Sequence, residues 1–208
     1  MRAIQLFVKR VFDFVLALIL AILTVPVFLV IAIAISIESP GSPIFKQERL
    51  GKNGRTFTVY KFRTMVKDAE KMGTGIFTSE TDERITRVGS FLRKTSLDEL
   101  PQIYNILKGE MSFIGPRPPV PYHPRKYEDY SPEQKLRFTM LPGITGYAQV
   151  MGRNSLSWDE RIKLDVEYVK NYSLWLDIKI LLMTFGAVAL SKNIYKGSGK
   201  DAGAGYKA

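Results

Sequence analysis

The residues best suited to chemistry lie in Thr95-Ser-Leu-Asp-Glu-Leu-Pro-Gln102, where adjacent carboxylates, Asp98 and Glu99, precede Pro101 and the apolar run Ile103–Leu107. Proline is accommodated in the first turn of a helix, where its missing N–H would be unpaired anyway. The acids are therefore expected near a helix start, a place whose free N–H groups and partial positive charge suit phosphates. Arg93 and Lys94 stand just upstream. Acids beside bases at such a position fit phosphate chemistry assisted by a metal ion. The same letters have a purely structural use. Ser96-x-x-Glu99 matches a capping box, and Asp98 can serve as an N-cap. On local sequence both readings stand.

Other cations sit where the backbone is constrained. Ile44–Leu50 and Arg55–Phe62 flank Gly51-Lys-Asn-Gly54, which reads as a β-hairpin. Strand alternation puts Lys61 and Arg63 on one face, although lysines also protect ordinary sheet edges. Arg117 is held between Pro116 and Pro118. A stiffened arginine grips phosphate or carboxylate at small entropic cost, while a plain proline-rich connector would look the same.

The composition narrows the class. The chain has 208 residues, 30 basic against 20 acidic, for a net charge of +10. That length suits one domain with appendages, and that charge calls for an anionic partner: nucleic acid, a phospholipid surface or a phosphorylated small molecule. No cysteine is present and His123 is the only histidine. Disulfides, thiolate zinc sites and His-rich metal sites are excluded, so an enzyme built from this chain works with carboxylates and cations.

Phe14 to Ile37 carries no charge. As one straight helix it would run about 36 Å, enough to cross a bilayer core; it is long for a signal peptide and lacks a small-x-small cleavage site. Pro26 falls near its middle and should break or kink it. Basic residues flank both ends, which favours both on the cytoplasmic side. A helix that breaks, dips into one leaflet and returns meets both observations; a kinked spanning helix remains the alternative.

Further along, residues 66–90 read as a polar loop around Gly73-Thr-Gly75 with a short helix at Val66–Met72. A helix ending near Thr95 points Arg93 toward the acids. Lys108-Gly109 closes the next helix. Leu141–Tyr147 and Gly152-Arg-Asn154 are turn-rich. Ser157-x-x-Glu160 opens a helix with Ile162, Val166 and Val169 at core spacing. Asp177–Leu190 suits a core helix or one lying in the membrane interface, and the tail from Lys192 is polar and Gly-rich.

Taken in order, Tyr60-Lys-Phe-Arg-Thr-Met65, Leu97-Asp-Glu-Leu-Pro-Gln102, Asn105 through Gly115-Pro-Arg-Pro118 and Pro142-Gly-Ile-Thr-Gly146 resemble the bacterial sugar transferases, specifically the small monotopic phosphoglycosyl transferases. The resemblance runs from Lys9-Arg10 to about Leu190. It implies a membrane-associated α+β fold, mostly helical with a small β-hairpin, a re-entrant broken helix at residues 1–39, a catalytic domain at 40–190, interfacial helices and a flexible tail at 191–208. It implies transfer of a sugar phosphate from a UDP-sugar to polyprenyl phosphate, with UMP released, at the cytoplasmic face of the bacterial inner membrane, and no nucleic-acid partner. A second copy and downstream glycosyltransferases are further candidate partners. By the same resemblance Asp98 is the nucleophile of a two-step reaction, Glu99 its neighbour and a ligand of Mg²⁺ together with Asp98, and Arg93, Arg117 and Lys61 hold phosphates. Glu99 as a base is the alternative role. The family's helix commonly breaks at Ser-Pro; here Val25 precedes Pro26 and only Thr24 offers a hydroxyl. Two other readings are kept: one direct ternary step on the same substrates, and a membrane-tethered basic module for nucleic acid or anionic lipid.

Overall fold

The computed structural model describes residues 2–72, 75, 82–152 and 155–189. Gly73 and Thr74 of the expected loop, Arg153 and Asn154 of the second turn-rich segment, and the tail lie outside the described residues. The chain opens with α1 (Arg2–Leu23) and α2 (Val25–Glu38), which meet at a bend of 61°. No single described helix is long and apolar enough to cross a membrane, while the bent pair meets that length and composition together.

The break falls at Thr24, two residues ahead of Pro26. Pro26 has no N–H to give to the turn before it, so the helix stops and restarts with the proline in its first turn. Thr24 stays bonded to the first arm: its N–H and its Oγ1 both donate to the Leu20 carbonyl, at 2.9 and 2.6 Å. Apolar side chains remain outward along both arms, among them Ile22, Leu23, Leu29, Val30 and Ile33. The inward faces are narrow. Ala17 packs with Val59, Ile103 and Ile106, and Ile31 and Ile35 pack with Phe62 and Leu92.

Strands β1 (Ile44–Leu50) and β2 (Thr56–Phe62) form the expected antiparallel hairpin. Its turn needs left-handed backbone at Asn53 (φ 58°) and Gly54 (φ 73°), conformations that Asn and Gly adopt most readily. The expected helix at 66–72 is reduced to one 3₁₀ turn, Ala69–Lys71. Buried Arg84 organises this loop instead, donating to the carbonyls of Ala69, Met72 and Gly75.

Next come α3 (Arg87–Thr95), α4 (Gln102–Lys108), β3 (Ser112–Ile114), α5 (Pro132–Lys135), β4 (Gly143–Thr145), α6 (Tyr147–Met151), α7 (Trp158–Lys170) and α8 (Leu174–Ala189). Strands β3 and β4 pair in parallel as a second two-stranded sheet. Gly109 ends α4 in the left-handed conformation, as expected from Lys108-Gly109. The capping box at Ser157 and Glu160 forms, and Ile162, Val166 and Val169 are buried. Helix α8 is half core and half surface. Ile180 is fully buried, whereas Trp175, Leu182 and Phe185 are exposed, so a core helix alone does not describe it.

Candidate active site

Helix α3 begins with the Thr86 side chain accepting from the Gly89 N–H, reinforced by Glu38, whose carboxylate accepts from the Arg87 and Val88 N–H groups. At Gly89 the helix backbone lies against Thr64, so close that a Cβ would sit 2.0 Å from the Thr64 carbonyl oxygen. Only glycine permits that approach. It brings Arg93, in the last turn of α3, onto Thr64, with Nε donating to Oγ1 at 2.8 Å.

The chain then reverses at Ser96, which is left-handed (φ 59°, ψ 16°). For a side chain other than glycine this costs of order 1 kcal/mol. The capping box expected at Ser96 and Glu99 does not form. An N-cap needs extended backbone, and Ser96 makes no side-chain cap bond. Asp98 is not a cap either: both acids lie in a single 3₁₀ turn, Leu97–Glu99, and Pro101 is the residue that precedes α4. That turn faces Asp98 and Glu99 into a cleft of about 1010 Å³. Among the described residues, ten lysines and arginines line the cleft against five acids, so its interior attracts anions.

Lys61, Arg93 and Arg117 all reach this cleft. Lys61 Nζ donates to Glu99 Oε1 at 2.6 Å, with both side chains under a fifth exposed. Arg117 Nη1 stands 3.6 Å from the same oxygen. Arg63 also lines the cleft, as strand alternation implies, but its guanidinium is committed to the carbonyls of Ser39 and Pro40 at the exit of α2. Among the described residues none donates a hydrogen bond to the half-buried Asp98 carboxylate.

The two acids are pushed apart. Burial opposes ionisation of both. For Glu99, Lys61 and then Arg117 outweigh burial and hold the carboxyl at about 2. For Asp98 burial prevails over Lys61, and the neighbouring Glu99 charge adds to it, raising the carboxyl to about 6. Glu99 is thus a fixed anion, whereas Asp98 is ionised but basic at neutral pH. A pair with opposed environments supports divided roles.

The donor set accommodates Mg²⁺. Both cationic contacts go to Glu99 Oε1, which leaves Oε2 and the Asp98 oxygens for a metal. No group of three or more metal-ligating side chains occurs among the described residues, but Mg²⁺ bound with substrate phosphate takes one or two carboxylates.

Sequence reasoning missed Arg49 and Arg137, which both line the cleft. Burial and then the like charge of Arg117 pull Arg49 down to about 10, so it stays charged. The hairpin register carried a signal for Arg49. Phe45 faces Lys61, Gln47 faces Val59 and Arg49 faces Phe57, so Arg49 shares the face of Lys61. Arg137 had none, since its ion pair with Asp165 spans 28 positions.

A family model described as bacterial sugar transferase matches residues 4–191. The chain is 49% identical over 166 residues to the galactosyl transferase CpsE of Streptococcus agalactiae, covering 74% of this chain and 36% of that protein. It is 41% identical over 193 residues to the UDP-glucose:undecaprenyl-phosphate glucose-1-phosphate transferase of Escherichia coli, covering 90% and 41%. It is also 43% identical over 188 residues to the uncharacterized sugar transferase EpsL of Bacillus subtilis, covering 89% of each. The chain therefore spans about two fifths of the length of the first two relatives and nearly all of the third.

Proposed function

Because the chain belongs to the bacterial sugar transferases, we propose that it moves a sugar 1-phosphate from a UDP-sugar to a polyprenyl phosphate, releasing UMP, through a covalent intermediate on Asp98. The carrying observation is the contrast within the acid pair. Glu99 is held by two cations, while the Asp98 carboxylate faces the cation-lined cleft with no donor among the described residues.

In the first step an Asp98 oxygen attacks the phosphorus that bears the sugar. The new bond is an acyl phosphate, the anhydride bond to the uridine phosphate breaks, and UMP leaves with the electron pair. In the second step an oxygen of the polyprenyl phosphate attacks the same phosphorus. The acyl phosphate bond breaks, Asp98 regains its carboxylate, and the product is a sugar diphosphate lipid. A carboxylate nucleophile needs no base, and its raised basicity makes it a better one. Attack on a diphosphate does require its negative charge to be offset. Arg93 and Arg117 take that role in this reading, supported by their lining the same cleft as the acids, with Lys61 as a third cation through its hold on Glu99. When bound, Mg²⁺ adds Lewis-acid stabilisation of the phosphate oxygens, held by Asp98 and Glu99.

A membrane setting fits this acceptor. The outward apolar faces of α1 and α2, with Trp175, Leu182 and Phe185 of α8, form surfaces that a bilayer would cover. With both arms of the bent pair packed on one domain, a re-entrant insertion with the catalytic domain on the cytoplasmic face is the topology we infer. The two relatives named for a sugar carry galactose and glucose, so the donor is proposed at the level of a UDP-sugar.

The test is UMP release from a panel of UDP-sugars in detergent, with and without polyprenyl phosphate. The expected result is a burst of about one UMP per chain without acceptor and steady turnover with it. UMP release that strictly requires acceptor would return the reaction to a single ternary step.

A further inference from the structure

Three of the four residues Pro116–Pro119 are prolines, so Arg117 has the only N–H in the segment. Such a stretch cannot satisfy its own carbonyls, and each must be met from elsewhere. All four are. The Pro116 carbonyl accepts from the Gly143 N–H at 3.0 Å and the Pro119 carbonyl from the Leu50 N–H at 2.9 Å. The two between them accept from guanidiniums: Arg117 O from Arg137 Nη2 at 2.8 Å, and Pro118 O from Arg49 Nη1 at 3.0 Å.

Both arginines are themselves held. Arg137 is 2% exposed and donates through Nε and Nη2 to Asp165 Oδ2, at 3.2 and 2.6 Å. Arg49 donates to the Gln47 side chain, and Gln47 in turn donates to Glu70 at 2.6 Å. Two cations are thus placed behind a third, Arg117, at a cost in like-charge repulsion that neutral donors would avoid. What the arrangement gains is a turn fixed at every carbonyl, on which Arg117 has a single backbone path toward Glu99.

We propose that Arg49 and Arg137 are positioning residues for the transfer, clamping the carbonyls of Pro118 and Arg117 so that the Arg117 guanidinium is preset for the substrate diphosphate. This rests on the reading above, in which Arg117 meets phosphate.

Arg49 carries the test, because Arg137→Gln strands the buried Asp165 carboxylate and can unfold the chain. The full chain in detergent is compared as wild type, Arg49→Gln, Arg49→Lys, Arg117→Ala and the double variant Arg49→Gln/Arg117→Ala. Two quantities are read: kcat/KM for UMP release, and affinity for UDP by calorimetry. Arg49→Gln is expected to lower kcat/KM about ten- to a hundredfold and weaken UDP, since small displacements of a positioned group cost rates of this size. Arg49→Lys, which keeps one donor, should recover part of the loss. In the Arg117→Ala background the Arg49→Gln change should add less than twofold, because the arm it presets is gone. A merely structural arginine would instead cost the same factor in both backgrounds. That result, or an Arg49→Gln variant within twofold of wild type in both readouts, overturns the proposal. Absence of UMP release from the wild type with every UDP-sugar would sink the functional reading; UDP affinity would then decide the positioning role by the same comparison.

Discussion

Two clusters of acids and bases lie in this molecule, and they end differently. At the root of α1, Lys9 donates to Asp177 at 2.7 Å, and Asp177 also accepts from the Tyr168 hydroxyl at 2.7 Å. Asp13 accepts from the Ser112 hydroxyl at 2.7 Å and from the Phe113 N–H. Lys9, Asp13 and Asp177 are each under a tenth exposed. In the cleft, Lys61 and Arg117 stand against Asp98 and Glu99; burial raises Asp177 as it raises Asp98, yet among the described residues Asp98 alone of the two has no donor on its carboxylate. The first cluster is closed: both of its aspartates are met by Lys9, hydroxyls or a backbone N–H, which ties α1 to α8 and β3. The second is held open by its backbone, and an open charge is one that a substrate can use. Ion pairing alone does not mark a functional site; a carboxylate beside a cleft with no donor among the described residues does.

The sharpest way to break this contrast is Asp98→Asn. Under the proposed reaction it removes the nucleophile, and UMP release should fall by about a thousandfold or more. Stability should move the other way. An acid raised from its ordinary value to about 6 destabilises the fold while ionised, so the neutral amide should raise stability by about 1–3 kcal/mol at pH 7, seen as a higher Tm. A variant that melts lower would show that the carboxylate is structural after all.

Lys61→Met takes the closest cation from Glu99. A fall in kcat/KM of about 10²- to 10³-fold is expected, the size found for removing one preorganised electrostatic contact. The closed cluster should respond in reverse. Lys9→Met leaves Asp177 buried without its cation and should cost about 3–5 kcal/mol of stability, read by denaturant or thermal unfolding in detergent, while kcat per folded molecule changes little. Equal losses of activity from the two lysine variants would erase the distinction between the clusters.

The mildest perturbation is pH. As pH falls through about 6, Asp98 gains a proton and kcat/KM should drop about tenfold per unit. Its effect on the fold has the opposite sign: a raised carboxyl favours the protonated folded state, so its contribution to stability grows as pH falls from 6 toward the ordinary value of 3.8. Glu99, held at about 2, stays ionised through this window, and the stability it contributes is lost only below the usual carboxylate range. An acid limb in a pH–rate profile without any loss of Tm would separate the two carboxylates experimentally.

Much of the frame was legible in the letters. The hairpin from Ile44 to Phe62, the end of α4 at Gly109 and the start of α7 at Ser157 follow from turn chemistry, alternation and capping within a few residues. The break in the apolar run was legible from Pro26, although the structure puts it at Thr24. The capping box at Ser96 misled, because a pattern of four letters cannot show that the serine is left-handed.

By itself the sequence determined the hairpin, the apolar bent pair, the end of α4 and the start of α7, the excess of cations and the order of motifs that marks the family, since each depends on near neighbours or on composition; the parallel pair of β3 and β4 was not among them. Only the tertiary structure decided which cations meet which acids. Lys61 finds Glu99 across 38 positions, Arg49 finds the Pro118 carbonyl across 69, and Lys9 finds Asp177 across 168. Such pairings depend on how the helices and hairpin pack, and that packing in turn decides which carboxylate is neutralised and which is left open to the cleft.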